Sequence, residues 1–183
     1  DPDIIMIGEI RDLESATHAT QAALTGHLVF STLHTNTAVG AITRLRDMGV
    51  EPFLLSSSLL GVLSQRLVRR LCSQCRSAHA VDSISYQKLL SLDPNIAPQN
   101  ELQYYKSEGC SECKNSGYQG RIGIYEWIAM DETMQSMVHA IESEQTLRLH
   151  TETMSSNIRQ DGVRLVLAGV TSLAEILRVT REH

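Results

Sequence analysis

The four cysteines of this chain fall into two identical pairs, Cys72-x-x-Cys75 and Cys110-x-x-Cys113, with a spacer running from residue 76 to residue 109. Two such knuckles predict one tetrahedral zinc site. Each brings two thiolates to about 2.3 Å from a d¹⁰ cation, and four soft ligands leave no coordination position open for chemistry. The site is therefore expected to be structural, with metal binding and folding of the inserted segment a single thermodynamic event. Four buried free thiols, or two disulfides, are the other states open to the same residues. His79 stands beside this set, but with four thiolates already present a lone histidine reads as a surface residue.

Composition bounds the rest. A chain of 183 residues suffices for one compact domain, or a domain with a small appendage, burying roughly 70% of its unfolded surface. The formal net charge of -5 provides no general attraction to nucleic acid or to anionic membranes. Arg66, Arg69, Arg70 and Arg76 cluster near the first knuckle but lack interleaved aromatics, so nucleic acid is not an expected partner. No apolar run approaches the roughly 20 residues that span a bilayer, and no signal peptide precedes Asp1. Thiols paired for metal fit a reducing cytoplasm. Asp1 already lies inside the approach to a strand, which marks the chain as a segment of a longer protein.

Ile4-Ile5-Met6-Ile7 is a continuous apolar run between Pro2 and Gly8, the pattern of a strand buried on both faces. Leu13, Ala16, Ala19, Ala23 and Leu24 recur at helical spacing, His27 to Leu33 returns as a strand, and Ala38, Ala41, Ile42, Leu45 and Met48 mark a second helix. Pro52 suits the first position of a short third helix ending near Gly61, and Gln65 to Leu71 leads as an extended segment into the first knuckle. Strand alternating with helix predicts an α/β fold with a mostly parallel sheet. Within the spacer, Ser83 to Leu90 reads as a short helix and residues 92 to 100 as a loop. Arg121 to Met130 reads as a strand with Ile122 and Ile124 on one side and Tyr125 and Trp127 on the other, both partly buried. The last third is mainly helical, with Asp131 as an N-cap and Ser172 with Glu175 as a capping box before the final helix.

Chemistry concentrates at the strand ends. A hydrophobic strand ending in a carboxylate that orients the attacking water is the arrangement of phosphate-hydrolysing α/β folds, and Ile4 to Ile7 followed by Gly8-Glu9 has that form. Glu9 is the expected catalytic carboxylate. Gly8 stands where a magnesium-associated aspartate is common, so magnesium is expected to be held by other groups or through water. His27 and His34 flank the second strand at an odd offset, which places them on opposite faces of an unbroken strand. Each is either a hydrogen-bonded boundary residue or a polar contact to the γ-phosphate or to the carboxylate.

The segment from Asp1 to Asp12 resembles the Walker B motif of bacterial secretion and pilus motor ATPases, including its glycine in place of aspartate, and Thr25 to Asn36 resembles their histidine box. The resemblance continues through Arg44 to Phe53, Gln65 to Cys72 and Gly117 to Glu126. The tetracysteine insert is similar to that of type II secretion and pilus-assembly ATPases and is absent from retraction motors. Residues 34 to 71 resemble the type II secretion enzyme, whereas the spacer is longer than is usual there.

The resemblance implies the C-terminal half of a RecA-like ATPase. It implies a homo-hexamer, peripheral on the cytoplasmic face of the inner membrane, that hydrolyses ATP with Mg²⁺ to extend a pseudopilus for protein export. A pilus-assembly ATPase, or a zinc-stapled interaction module without activity of its own, are the alternatives. The resemblance also implies catalytic roles for Glu9, His27 and His34, nucleotide or subunit contacts for Arg11 and Arg121, and Zn²⁺ on Cys72, Cys75, Cys110 and Cys113. Surface ion pairing is the plainer reading of both arginines. Residues 1–71 are then part of the ATPase core, 72–120 the zinc-binding subdomain, and 121–183 a strand plus a helical subdomain. No Gly-x-x-x-x-Gly-Lys-Ser/Thr loop occurs in the chain. The phosphate anchor, and the domains that meet the inner-membrane secretion platform, are thus expected upstream, and the chain alone is expected to be inactive.

Overall fold

A computed structural model describes residues 2–181; Asp1 at the head of the Walker B-like segment, and Glu182 and His183 of the last predicted subdomain, lie outside the described residues. The chain forms two compact units. One takes in the chain up to Ser64 together with Trp127–Ser155; the other takes in Gln65–Glu126 and the chain from Ser156 onward.

In the first unit, strand β1 (Ile4–Ile7) leads to helix α1 (Leu13–Leu24), strand β2 (Leu28–Ser31), helix α2 (Ala38–Asp47) and helix α3 (Pro52–Ser58). β1 and β2 run parallel, with Ile4 opposite Leu28 and Ile7 opposite Ser31. A parallel pair needs a crossover, and α1 supplies it: Asp12 caps its N-terminus by accepting the Ser15 N–H at 2.8 Å. Ala16 and Ala19 of α1, Val39, Ile42 and Leu45 of α2, and Leu55 of α3 are buried together, with Ile7, Val29 and Leu33 packed against them. The expectation that β1 is buried on both faces is corrected here. Ile5 and Ile7 alternate inward, whereas Ile4 and Met6 are 60% and 77% exposed, because among the described residues the core covers only one face of this two-stranded sheet.

Strands β3 (Gly61–Leu71) and β6 (Tyr118–Ala129) are hydrogen-bonded neighbours, and each contributes residues to both units. The first unit is completed by helices α5 (Glu132–His139) and α6 (Glu144–Met154), whose Met134, Val138 and Leu147 join its core. Asp131 caps α5 as its position suggests, accepting the Met134 N–H at 2.6 Å.

The second unit holds strand β4 (Arg76–Ala80), helix α4 (Ser83–Leu92), strand β5 (Gln103–Ser107), and helices α7 (Ile158–Leu167) and α8 (Leu173–Val179). β4 and β5 pair antiparallel, from Arg76 opposite Ser107 to Ala80 opposite Gln103. Val68, Leu89, Ile124, Val166 and Ile176 are fully buried in its core, each worth roughly 1.5–3 kcal/mol relative to exposure. Close approach of α8 to α7 depends on Gly162, where a Cβ would sit 2.9 Å from Ile176 Cγ2.

The box predicted at Ser172 and Glu175 forms only half. Ser172 Oγ accepts the Glu175 N–H at 3.2 Å, but the Glu175 carboxylate turns away to Arg69 and Arg178. The reciprocal arrangement occurs instead at the start of α7. There Asn157 Oδ1 accepts the Gln160 N–H at 3.0 Å and the Asn157 N–H donates to Gln160 Oε1 at 2.9 Å.

Candidate functional site

Glu9 follows the C-terminal end of β1, and the residues gathered around it come from the continuations of β1 and β2. Arg11 Nε donates to Glu9 Oε2 at 2.6 Å, and His34 Nε2 lies 3.1 Å from Oε1, so each carboxylate oxygen has its own partner. Glu9 keeps 21% of its side chain exposed, against 77% for Arg11 and 86% for His34. The hydrogen bond from Arg11 holds the Glu9 carboxyl below the ordinary range; partial burial opposes this, and the charges of Arg11 and His34 add to it. Glu9 is thus an anionic acceptor at neutral pH, able to orient or deprotonate a water once a partner leaves one oxygen. One carboxylate beside a guanidinium and an imidazole does not fit a hard dication, which seeks several oxygen ligands.

His27 is elsewhere. Its Nδ1 lies 3.1 Å from the Ala22 carbonyl and 3.2 Å from Thr25 Oγ1, at the turn that joins α1 to β2. Glu9 follows the opposite end of the same strand pair, so the structure brings His34 to Glu9 and leaves His27 at the far end of β2. Arg121, on β6 in the second unit, is exposed, and no described residue bonds its guanidinium.

In the second unit the four cysteine sulfurs all lie within 4.8 Å of one another. Cys72 and Cys110 are 3.9 Å apart, Cys75 and Cys113 3.8 Å, and Cys110 and Cys113 3.7 Å. Bonds of about 2.3 Å to a central ion give a tetrahedron with edges of about 3.8 Å, so the donor set fits a tetrahedral thiolate metal. A disulfide needs about 2.05 Å, and all four cysteines are free, which removes the disulfide alternative. His79 takes no part; its Nε2 lies 2.9 Å from Ser77 Oγ.

Backbone donors shape these sulfurs. The N–H groups of Cys110 and Gly117 both donate to Cys113 Sγ at 3.2 Å. Burial works against the Cys113 thiolate, yet these donors draw its pKa down to about 6. Burial dominates at Cys75 and pushes its thiol up to about 12, against one donor from Gly109. A dication among the sulfurs favours the thiolate at every position. Gly117 adopts φ +74°, and a Cβ there would meet Ser107 Cβ at 2.5 Å, so only glycine presents this N–H without strain.

Two features escaped sequence reasoning. One is the buried Glu175, whose spacing from Ser172 matches a capping pattern; Arg178 three residues on is the signal that could have revealed its ion pairs. The other is Thr32, a hydroxyl residue just beyond β2, which donates to the Gly8 carbonyl at 2.7 Å.

A parallel strand pair crossed over by a helix, with a carboxylate beyond the first strand and a histidine beyond the second, fits the RecA-like α/β fold of the secretion ATPases, and the comparisons with known proteins place the chain there. The pilus retraction motor PilT with bound ADP superimposes with a TM-score of 0.64 at 26% identity, covering 100% of this chain and 40% of that one. The sequence matches the family described as Type II/IV secretion system protein over residues 1–178, and the chain belongs to that family. It is 55% identical over 183 residues to type II secretion system protein E of Pseudomonas aeruginosa. It is 52% identical over 182 residues to type II secretion system ATPase E of Vibrio cholerae. The type IV pilus assembly ATPase TfpB of Acinetobacter baylyi is 50% identical over 98% of the chain. The chain spans 36%, 35% and 30% of the lengths of these three relatives.

Proposed function

We propose that this chain is part of a motor ATPase of type II secretion, in which ATP hydrolysis drives pseudopilus assembly and protein export. The observation that carries the reading is Glu9 beyond β1 with His34 Nε2 3.1 Å from its Oε1. Glu9 acts as the base that orients and deprotonates the attacking water. His34 steadies the carboxylate and, with Arg11, is free to turn toward a phosphate, since both side chains are largely exposed. His27 supports the site from a distance by fixing the turn that starts β2. Magnesium enters with the nucleotide and through water, and the phosphate-binding loop lies in the remainder of the longer protein. Arg121 serves a neighbouring subunit in a homo-hexamer. Zinc on the four cysteines closes the second unit as a structural staple.

In this reading the motor is cytoplasmic and peripheral on the inner membrane, meeting the secretion platform through other domains. No helix among the described residues is long and apolar enough to cross a membrane. The match to a type IV pilus assembly ATPase favours a second reading, the same motor serving pilus assembly.

The test is Glu9→Gln in the longer protein. Nucleotide binding stays, and turnover falls by roughly 10²- to 10⁴-fold, the span of a positioned acid-base group. The 183-residue chain alone is expected to show no meaningful ATP hydrolysis. Turnover retained in Glu9→Gln overturns the assignment.

A further inference from the structure

Glu9 is bracketed by two bonds to one residue. Thr32 Oγ1 donates to the carbonyl of Gly8 at 2.7 Å, and the Ile10 N–H donates to the Thr32 carbonyl at 3.0 Å. The regular β1–β2 register runs only as far as Ile7 opposite Ser31, so these bonds extend the pairing around Glu9. Leu33 packs against the core, and successive residues of an extended chain point to opposite sides. Leu33 therefore anchors the segment inward and turns the exposed Thr32 and His34 outward.

We propose that Thr32 is a positioning residue for Glu9: by holding the peptide groups on either side of it, Thr32 keeps the carboxylate in register with His34 and Arg11. The proposal rests on the reading of Glu9 as the hydrolytic carboxylate. An exposed hydrogen bond contributes little to stability, because water replaces it at small cost. What it supplies here is orientation. Any residue at this position offers the carbonyl that receives the Ile10 N–H, whereas the bond to Gly8 needs a hydroxyl. Threonine is also β-branched and stiff at χ1, so it delivers its Oγ1 in few rotamers, while serine offers the same donor more loosely.

The experiment compares Thr32→Val, Thr32→Ala and Thr32→Ser. In the 183-residue chain, NMR follows the acid titration of the Glu9 carboxyl, with Arg11 and His34 the charged groups facing it; in the longer protein, kcat and KM for ATP are measured. Val and Ala, which lack the hydroxyl but differ in size, are expected to move the Glu9 midpoint up toward that of a free glutamate. They also lower kcat by roughly 10- to 100-fold, the cost of a small misplacement of a reacting group, with KM changed less than about 2-fold. Ser recovers most of both. An unchanged midpoint in Val and Ala, or equal losses in Ser and Val, overturns the proposal. If the midpoint moves and Ser restores it while turnover ignores both these variants and Glu9→Gln, Thr32 positions Glu9 as stated and the hydrolytic reading of Glu9 falls instead.

Discussion

Glu175 Oε2, on the last helix, lies 2.7 Å from Arg69 Nη2 on the strand that leads into the first cysteine knuckle. The Glu175 side chain has no exposure, and its carboxylate also takes the Arg69 backbone N–H at 3.1 Å and two bonds from Arg178 at 3.0 and 2.7 Å. Arg69 in turn stacks 4.1 Å over the Tyr118 ring, whose hydroxyl meets Ser172 Oγ at 2.7 Å. A buried carboxylate is tolerated only when it is paired and hydrogen-bonded, and here every lone pair is occupied. The network ties α8 to β3 and β6 beside the cysteine cluster.

The second unit should therefore be acid-sensitive. Burial alone would raise the Glu175 pKa, but the bonds from Arg178 and Arg69 bring it down to about 2 from an ordinary 4.5. A carboxylate with a depressed folded-state pKa contributes stability above its unfolded value, and loses it as pH falls from about 4.5 toward 2. The contribution is on the order of 2–3 kcal/mol, reduced by the half-exposed guanidinium partners. Melting temperature against pH checks this. Glu175→Gln should lower Tm at neutral pH and flatten its fall between pH 5 and 2; a parallel curve in the variant would remove Glu175 as the cause.

Metal analysis of freshly reduced protein should find one zinc per chain. Cys110→Ser should release it and raise protease sensitivity between Cys72 and Gly117 while β1 and β2 stay folded. Structural zinc binds comparable peptides with on the order of 10–16 kcal/mol, so one lost ligand leaves a weakened site. Gly117→Ala, which replaces none of the four cysteines, should also weaken binding through its φ of +74° and its contact with Ser107. Zinc near zero in the parent chain refutes the site.

Arg121→Ala in the longer protein should bind nucleotide almost normally and lose assembly-dependent hydrolysis. Arginines acting across an interface are worth about 10³ to 10⁵ in rate. Lysine should rescue poorly, since a point charge does not reproduce the planar fork. Mixing Arg121→Ala chains with Glu9→Gln chains should recover part of the activity. Mixed rings that form and stay inactive would confine Arg121 to a local role.

Local pattern was enough for several features of this protein. The thiolate spacing, the crossover helix between two strands, the cap at Asp131 and the placement of Glu9 just past an apolar strand all depend on residues close in sequence. Strands β4 and β5 were not legible. Arg76–Ala80 and Gln103–Ser107 are short and largely polar, and they become strands only when each supplies the other's hydrogen-bond partners. The same holds for exposure of Ile4 and Met6, since an apolar run says that a face can be buried and not whether anything covers it. Distance along the chain explains the rest. Glu175 meets Arg69, and Thr32 meets Gly8, across separations that no local pattern spans, so that Arg69 joins the nearby Arg178 on the Glu175 carboxylate, and Thr32 the Gly8 carbonyl, was decided only when the chain closed on itself.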